Sequence, residues 1–258
     1  FGSALSPAGD VNGDGYDDLV VAYETLPEVD FFTNVAGVSF TSVNFSVTTV
    51  PGNDLNDIEI FDLDNDDDLD VIVNNQAFVE IFRNDGSNTF TNLADNYTGS
   101  YAYGCIHGDW NNDGFSDLAI ANNSSGGISI KLNNAGTLQT TTSFFSANAE
   151  TVELCAGDFN EDGFEDIVTA NDNNGNITFL NGLGDGRFGS QALLTGLQGG
   201  GLAAGDFDED GDIDIVGMNE AQSAFSISLN NGDGSFGATQ FYPIGFSADQ
   251  VVVDDLTG

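Results

Sequence analysis

The stretch "GDFNEDGFEDIVTAN", residues 157–171, decides the fold because close variants of it recur along the chain. Each variant joins an acidic loop to a run of apolar residues. The other copies are "GDVNGDGYDDLVVA" from residue 9, "FDLDNDDDLDVIVN" from residue 61, "GDWNNDGFSDLAIAN" from residue 108 and "GDFDEDGDIDIVGMN" from residue 205. A similarity that returns about every 49 residues is the signature of a repeat architecture.

A second element keeps the same period. The segments "VEIFRN", residues 79–84, and "FSISLN", residues 225–230, alternate apolar and polar residues as a half-buried strand does. Equivalent segments end at Asn34, Asn133 and Asn181. A glycine-containing turn and an aromatic residue follow most of them, and Asn-Gly and Asp-Gly pairs favour hairpins because both residues tolerate positive φ. Each repeat therefore predicts four strands.

Four strands in about 49 residues are typical of one blade of a β-propeller. Helical periodicity is absent, so we predict an all-β chain that is almost free of helix. Residues 1–258 are interpreted as a single β-propeller domain or propeller segment, with five four-stranded antiparallel blades and an incomplete sixth copy at residues 255–258. Seven such blades would need roughly 340 residues. We therefore favour part of a seven-bladed propeller, while a complete small propeller stays open.

The charge balance limits the partners. Forty-two acidic residues face three Lys and Arg residues, for a formal net charge of −39, so nucleic acid and anionic membrane surfaces are poor partners and cations are good ones. No run approaches the roughly 18 apolar residues of a membrane span, and we expect no membrane insertion. There is no positively charged apolar leader, and the chain begins with Phe1. Both features favour a processed or excised product.

The acidic loops share one register of oxygen-bearing residues. Counted from the leading aspartate, loops 1 to 5 span residues 10–18, 62–70, 109–117, 158–166 and 206–214. Positions 1, 5 and 9 are always Asp, and position 3 is Asp or Asn. The predicted side-chain ligands of a metal are Asp10, Asn12, Asp14, Asp18, Asp62, Asp64, Asp66, Asp70, Asp109, Asn111, Asp113, Asp117, Asp158, Asn160, Asp162, Asp166, Asp206, Asp208, Asp210 and Asp214. Position 7 is expected to add a backbone carbonyl, from Tyr16, Asp68, Phe115, Phe164 and Asp212.

This spacing suits calcium. Ca²⁺ takes six to eight oxygen ligands, and alternate residues of a tight loop can direct their side chains to one point. Mg²⁺ keeps several waters, and no Cys or His lies in the loops, which argues against zinc. An EF-hand is excluded because position 12 is never Glu. Position 6 must turn sharply and is Gly except at Asp67, so loop 2 is expected to be the most strained.

The loops and strands resemble the FG-GAP and VCBS repeats of integrin-α-like β-propellers. The match is clearest in "FGSALSPAGDVNGDGYDDLVVA", residues 1–22, and extends over essentially the whole chain. The resemblance implies that the loop between the first two strands of each blade binds Ca²⁺, up to five ions in all. The sixth copy lacks positions 5 to 9 and is not expected to bind.

Other residues are given structural interpretations. His107 occupies an inner-strand position that is small or apolar in the other copies, and we assign no catalytic residues. Cys105 and Cys155 differ in strand parity, which favours buried free thiols over a disulfide. The residue after each leading Asp is always apolar and is expected in the core: Val11, Leu63, Trp110, Phe159 and Phe207. The scattered cations Arg83, Lys131 and Arg187 are expected on the surface.

These features predict a Ca²⁺-stabilised module, secreted or at the cell surface, that acts in adhesion or in recognition of a protein or glycan on a propeller face. We predict that it is not an enzyme, because catalysis typically needs a cluster of basic or charge-stabilising groups. Two alternatives stay open: a structural spacer in a large surface protein or filament, and a catalytic or non-catalytic part of a polysaccharide-degrading enzyme. Remaining chain or another subunit would close an open propeller.

Overall fold

The computed structural model describes residues 2–23, 28–47, 55–75, 78–86, 89–95, 101–139, 143–146, 150–171, 176–194, 201–219, 223–245, 251 and 253. Within these ranges every regular element is a β-strand, which confirms the all-β prediction. They contain no helix of the length and apolarity that crossing a membrane requires. The incomplete sixth loop at residues 255–258 lies outside the described residues.

The strands form five four-stranded antiparallel sheets, each paired in chain order. The first sheet contains β1 (Gly2–Gly9), β2 (Asp18–Tyr23), β3 (Glu28–Val35) and β4 (Ser39–Ser46). The second contains β5 (Leu55–Phe61), β6 (Asp70–Asn75), β7 (Val79–Asn84) and β8 (Phe90–Asp95). The third contains β9 (Ala102–Gly108), β10 (Asp117–Asn122), β11 (Gly127–Lys131) and β12 (Ser143–Ser146).

The fourth sheet contains β13 (Thr151–Gly157), β14 (Asp166–Asn171), β15 (Asn176–Gly182) and β16 (Phe188–Leu194). The fifth contains β17 (Leu202–Gly205), β18 (Asp214–Asn219), β19 (Ala224–Ser228) and β20 (Gln240–Pro243). Each sheet therefore contains the four predicted strands, with the acidic loop between the first strand and the apolar second strand. Every acidic loop follows the first strand of its sheet.

The hydrophobic core lies between the sheets. The first strands pack side by side in chain order, β1 on β5, β5 on β9, β9 on β13 and β13 on β17. Among the second strands, β2 alternates buried and half-exposed residues, whereas β6, β10 and β14 are covered on both faces and buried along their whole length. This burial explains why their sequences are nearly continuous apolar runs. Each junction has its own apolar cluster; the first joins Phe31 of β3 to Phe82 of β7, with ring centroids 6.0 Å apart.

The structural interpretations are mostly confirmed. Both cysteines are free and buried, and the register places Cys105 opposite Ile120 but Cys155 opposite Val168, on opposite faces of their sheets. Four of the five apolar residues that follow the leading aspartates are buried, while Phe207 is half-buried.

The surface assignment of Lys131 is wrong. Its side chain is fully buried, and its Nζ donates to the carbonyl of Gln139 at 3.1 Å. Lys131 pairs with Leu118 on the face of the third sheet that packs against the second sheet. The long methylene chain explains how a lysine can fill a position that is apolar in other copies, such as Phe82.

Candidate metal loops

All five loops have the same internal hydrogen bonds. In loop 3, Asp109 at position 1 accepts the backbone N–H groups of Asp113 and Gly114, at 3.1 and 2.9 Å. Asp113 at position 5 accepts the N–H of Phe115 at 3.0 Å. The corresponding bonds are present in loops 1, 2, 4 and 5. The loop conformation is therefore set by its own ligand residues.

Position 9 has a structural role that sequence reasoning missed. Asp117 is fully buried, and its two carboxylate oxygens accept the N–H of Trp110 at 3.1 Å and the N–H of Asn133 at 2.7 Å. The first bond closes the loop, and the second ties it to the end of the third strand. The same pair of bonds is made by Asp18, Asp70, Asp166 and Asp214.

Burial also changes the acidity of position 9. It raises the pKa of Asp117 to about 7 and the pKa values of Asp70 and Asp166 to about 6. The negative charges of the other loop carboxylates raise these pKa values further, while the backbone N–H donors lower them. A nearby cation would stabilise the charged form, so the loops are electrostatically suited to hold one.

Position 6 adopts positive φ in every loop, as predicted, including Asp67 at 71°. Position 4 also adopts positive φ in every loop, which was not predicted. Its residues are Gly13, Asn65, Asn112, Glu161 and Glu209, with φ between 55° and 73°. Gly or Asn at position 4 in three of the loops could have indicated positive φ, because both residues tolerate that region of φ. Glu in the other two copies obscured it.

Loop 2 brings three carboxylates close together. Single oxygens of Asp62, Asp64 and Asp70 all lie within 4.8 Å of one another. The Oδ1 atom of Asp64 is buried and has no hydrogen-bond partner, while its Oδ2 lies 3.9 Å from Arg83 Nε. A buried carboxylate oxygen without a partner is costly. Oxygen donors alone, converging in this way, fit a hard cation such as Ca²⁺.

In loop 5, single oxygens of Asp206, Asp208 and Asp210 lie within the same 4.8 Å limit. These three residues are exposed, whereas the residues at positions 1 and 3 of the other four loops are half-buried. The structure thus places the predicted side-chain ligands of each loop on one short turn.

Sequence reasoning assigned no role to the asparagines at or just beyond the ends of the third strands. Asn84, Asn133 and Asn230 are buried, and each donates through Nδ2 to a backbone carbonyl in the loop of the preceding sheet. Their recurrence at one point of the repeat was a signal for such a role. In the fourth sheet the equivalent residue is Gly182, whose N–H reaches Asp166, so aligning Asn181 with the other asparagines was wrong by one residue.

A second acidic cluster lies on the inner strands. Asp57 on β5 accepts the N–H of Cys105 at 2.8 Å, and Glu59 lies 2.8 Å from Nδ1 of His107. Burial, together with neighbouring negative charge, raises the pKa of Asp57 to about 7 and that of Glu153 to about 8. Sequence reasoning missed these acids because the repeat pattern drew attention to the loops.

Aromatic side chains are exposed at the opposite end of an inner strand. Tyr101 and Tyr103, at the start of β9, are 40% and 46% exposed, whereas loop 3 follows the end of that strand. Tyrosine offers a flat apolar ring and a polar hydroxyl, a combination common in recognition surfaces.

A family model for the FG-GAP-like repeat matches residues 10–73, 109–169 and 158–217. The chain belongs to the FG-GAP-like repeat family. These matches begin at the leading aspartates of loops 1, 3 and 4 and run through the strands that follow. The family assignment confirms the resemblance seen in the repeats. No curated protein matches the chain.

Solved structures share the fold at low identity. One similar structure is that of a lectin from Agrocybe aegerita that specifically recognises non-reducing terminal N-acetylglucosamine. Its sequence is 20% identical to this chain, and the TM-score is 0.65 over 95% of this chain and 67% of the lectin chain. BBS1N in complex with ARL6DN is 16% identical, with a TM-score of 0.61 over 93% and 70%. A putative 6-phosphogluconolactonase from Bacteroides fragilis NCTC 9343 is 12% identical, with a TM-score of 0.65 over 90% and 67%. Such similarities show the fold alone.

Proposed function

We propose that this FG-GAP-like repeat protein is a Ca²⁺-stabilised β-propeller that recognises a protein or a glycan, secreted or at the cell surface. The observation that carries the calcium assignment is loop 2. There three carboxylates converge and Asp64 Oδ1 is buried without a hydrogen-bond partner. Bound Ca²⁺ would supply the missing counter-charge. The other four loops repeat the same hydrogen-bond scheme, which supports extending the assignment to them.

The side chains at positions 1, 3, 5 and 9 and the carbonyl at position 7 would hold the ion in each loop. Position 9 would then have two roles, because its carboxylate also bonds two backbone N–H groups. Calcium loops of extracellular modules commonly bind at Kd values of about 10⁻⁴ to 10⁻³ M. Sites of this affinity fill outside the cell, where calcium is abundant, so the proposed binding and the proposed location are consistent with each other.

The recognition role is supported by the fold and by the exposed tyrosines. The same fold occurs in a lectin and in a protein-protein complex. Tyr101 and Tyr103 give this chain an aromatic surface away from loop 3. We propose that this surface contacts the ligand. The non-enzymatic assignment is supported by the scarcity of basic groups, since the chain has one His and three Lys and Arg residues.

Melting curves with Ca²⁺ and with excess EGTA test the calcium assignment. We expect a large fall in Tm with EGTA, because the loop carboxylates repel each other without the ion. A Tm that is the same in both conditions would contradict the assignment.

A panel of immobilised glycans, including chains ending in N-acetylglucosamine, tests recognition, together with a parallel pull-down from an extracellular protein mixture. The Tyr103→Ala variant should lose binding, whereas Tyr242→Ala, which alters an exposed tyrosine on the outer strand β20, should retain it. Absence of specific binding would favour the spacer interpretation, whereas equal loss in both variants would reject the surface of Tyr101 and Tyr103 as the binding site.

We also propose that the free face of the first sheet is covered by further chain or by another subunit. Leu19, Val21 and Phe32 are half-exposed, whereas the equivalent positions of the second sheet, Val71, Val73 and Phe82, are buried against the first. A molar mass by light scattering tests the subunit alternative. A multiple of 27.0 kDa supports it, and a monomeric mass rejects it.

A further inference from the structure

We propose that the metal loops are coupled from blade to blade, and that Asn84, Asn133 and Asn230 are positioning residues for the loop of the preceding blade. This inference rests on the proposed calcium binding. The further point is that the Ca²⁺ affinity of one loop depends on a side chain of the next sheet.

The contact is specific at each junction. Asn133 Nδ2 donates to the carbonyl of Leu63, at position 2 of loop 2, at 2.7 Å and to the carbonyl of Ser116, at position 8 of its own loop, at 3.0 Å. Its Oδ1 accepts the N–H of Gly136 at 3.0 Å. The side-chain amide of one asparagine therefore joins two consecutive loops, and both of its polar atoms are bonded.

The other two asparagines repeat this arrangement. Asn84 Nδ2 lies 2.6 Å from the carbonyl of Val11 in loop 1 and 3.3 Å from that of Leu69 in loop 2. Asn230 Nδ2 lies 2.7 Å from the carbonyl of Phe159 in loop 4 and 3.0 Å from that of Ile213 in loop 5. In each case the carbonyl in the preceding loop is the one at position 2.

Position 2 matters because it separates the ligand positions 1 and 3. In loop 2 the N–H of Leu63 is held by Asp70 at 2.7 Å, and its carbonyl is held by Asn133. That carbonyl belongs to the peptide group leading into Asp64, a predicted ligand. Fixing both peptide groups around Leu63 limits the directions in which the side chains of Asp62 and Asp64 can point.

The turn of the following blade also contacts the ligand directly. A Cβ atom added to Gly136 would lie 2.4 Å from the Cβ of Asp64, so this turn packs against position 3 of loop 2. In loop 4 the corresponding approach is between Gly234 and Asn160, where an added Cβ would lie 3.2 Å away. At loops 2 and 4 the next blade therefore packs against position 3, and the carboxylates of loop 5, which no described sheet follows, are more exposed.

Two positions provide natural contrasts. Asn34, in the first sheet, donates to the carbonyl of Asp17 in its own loop at 3.1 Å, and the described chain places no loop before it. In the fourth sheet Gly182 replaces the asparagine, and the carbonyl of Trp110 in loop 3 instead accepts the backbone N–H of Gly186 at 2.8 Å.

Calorimetric Ca²⁺ titrations of the full chain test the coupling. We expect Asn133→Ala to raise the Kd for Ca²⁺ at two sites, loops 2 and 3, by roughly tenfold. The reason is that the loss of one hydrogen bond of about 1.4 kcal/mol corresponds to a factor of ten in Kd. The matched Asn34→Ala variant should weaken only one. In a chain whose loop 2 is disabled by Asp66→Asn, the Asn133→Ala change should weaken only loop 3.

The outcomes separate this inference from the proposed function. If the unaltered chain binds no Ca²⁺, the proposed function itself fails. If it binds Ca²⁺ but Asn133→Ala weakens as many sites with loop 2 disabled as with loop 2 intact, the coupling is overturned. Terbium luminescence excited through Trp110 reports loop 3 separately. Should Asn133→Ala fail to fold, Asn84→Ala and Asn230→Ala apply the same test to loops 1 and 4, with Asp14→Asn and Asp162→Asn as the disabling changes.

Discussion

The side-chain amide of Asn133 donates to the backbone carbonyl of Leu63 at 2.7 Å, across the junction of the second and third blades and 70 residues apart in sequence. Without Asn133 the carbonyls of Leu63 and Ser116 would lose a buried donor. We expect Asn133→Ala to destabilise the metal-free chain by about 2 kcal/mol, since an unsatisfied buried polar group costs about 1–3 kcal/mol. Chemical denaturation in EGTA measures this, and a change no greater than that of Asn34→Ala would contradict it.

Position 6 of loop 2 offers a stabilising substitution. Asp67 has φ of 71°, a region that costs a non-glycine residue about 1 kcal/mol. Asp67→Gly should therefore raise the free energy of unfolding by roughly 1 kcal/mol, seen as a higher Tm in EGTA. The Gly114→Ala change in loop 3 is the control, because an added Cβ there meets no atom within 4 Å and alanine adds no charge, so only backbone strain changes. It should lower the Tm; equal Tm values in all three chains would reject the strain argument.

Asp117 and Asp113 belong to one loop but should behave differently without metal. Asp117 is buried and bonds two backbone N–H groups, whereas Asp113 is exposed. In EGTA, Asp117→Ala should destabilise the fold by about 2–5 kcal/mol, because two buried donors lose their partner. Asp113→Ala should have less than half that effect. With Ca²⁺ present both variants should lose loop 3 binding, read by terbium emission. Equal destabilisation in EGTA would show that position 9 has no separate structural role.

The inner acids predict a pH dependence. The folded-state pKa values of Asp57 and Glu153, about 7 and about 8, lie above their ordinary values of 3.8 and 4.5. The folded state therefore binds these protons more tightly than the unfolded state. Their contribution to stability is fully present below about pH 4 and is lost as the pH rises to about 8. The cause is burial, reinforced at each site by neighbouring negative charge.

A double variant isolates this effect. Asp57→Asn with Glu153→Gln keeps an acceptor for the N–H of Cys105 but removes both titrations. The difference in unfolding free energy between variant and unaltered chain should change steadily between pH 4 and pH 8 and stay constant above. Parallel stability curves across that window would show that the two acids titrate normally.

The repeat made most of the fold predictable. A period of about 49 residues set the number of sheets, and alternation in segments such as "VEIFRN" set the third strands. Loop register followed from oxygen-bearing residues at alternate positions. These features are local to one repeat, and each of them occurs in several repeats of the same chain. A feature that is unclear in one repeat can therefore be recognised from the others.

The features that sequence reasoning missed depend on contacts between copies. Lys131 was assigned to the surface because charged side chains are usually exposed. Its position faces the preceding sheet, where the methylene chain of the lysine packs in the core between the two sheets. The partner of Asn133 lies 70 residues away, and no local pattern indicates it. Gly182, and not Asn181, occupies the asparagine position, because it pairs with Phe188 as Asn230 pairs with Phe236. An added Cβ at Gly182 would lie 2.0 Å from the carbonyl oxygen of Glu165, so the position takes no side chain in this copy.

The central claim is that the loops bind Ca²⁺ and that this binding holds the propeller together. The most direct measurement is the number of Ca²⁺ ions bound to the metal-free chain at saturation, by equilibrium dialysis with metal analysis, alongside the Tm at each calcium concentration. We predict up to five bound ions, with a Tm that rises as they bind and a loss of bound calcium when Asp62, Asp64 and Asp66 are replaced by Asn. No bound calcium at millimolar concentration, or binding that leaves the Tm unchanged, would contradict the account.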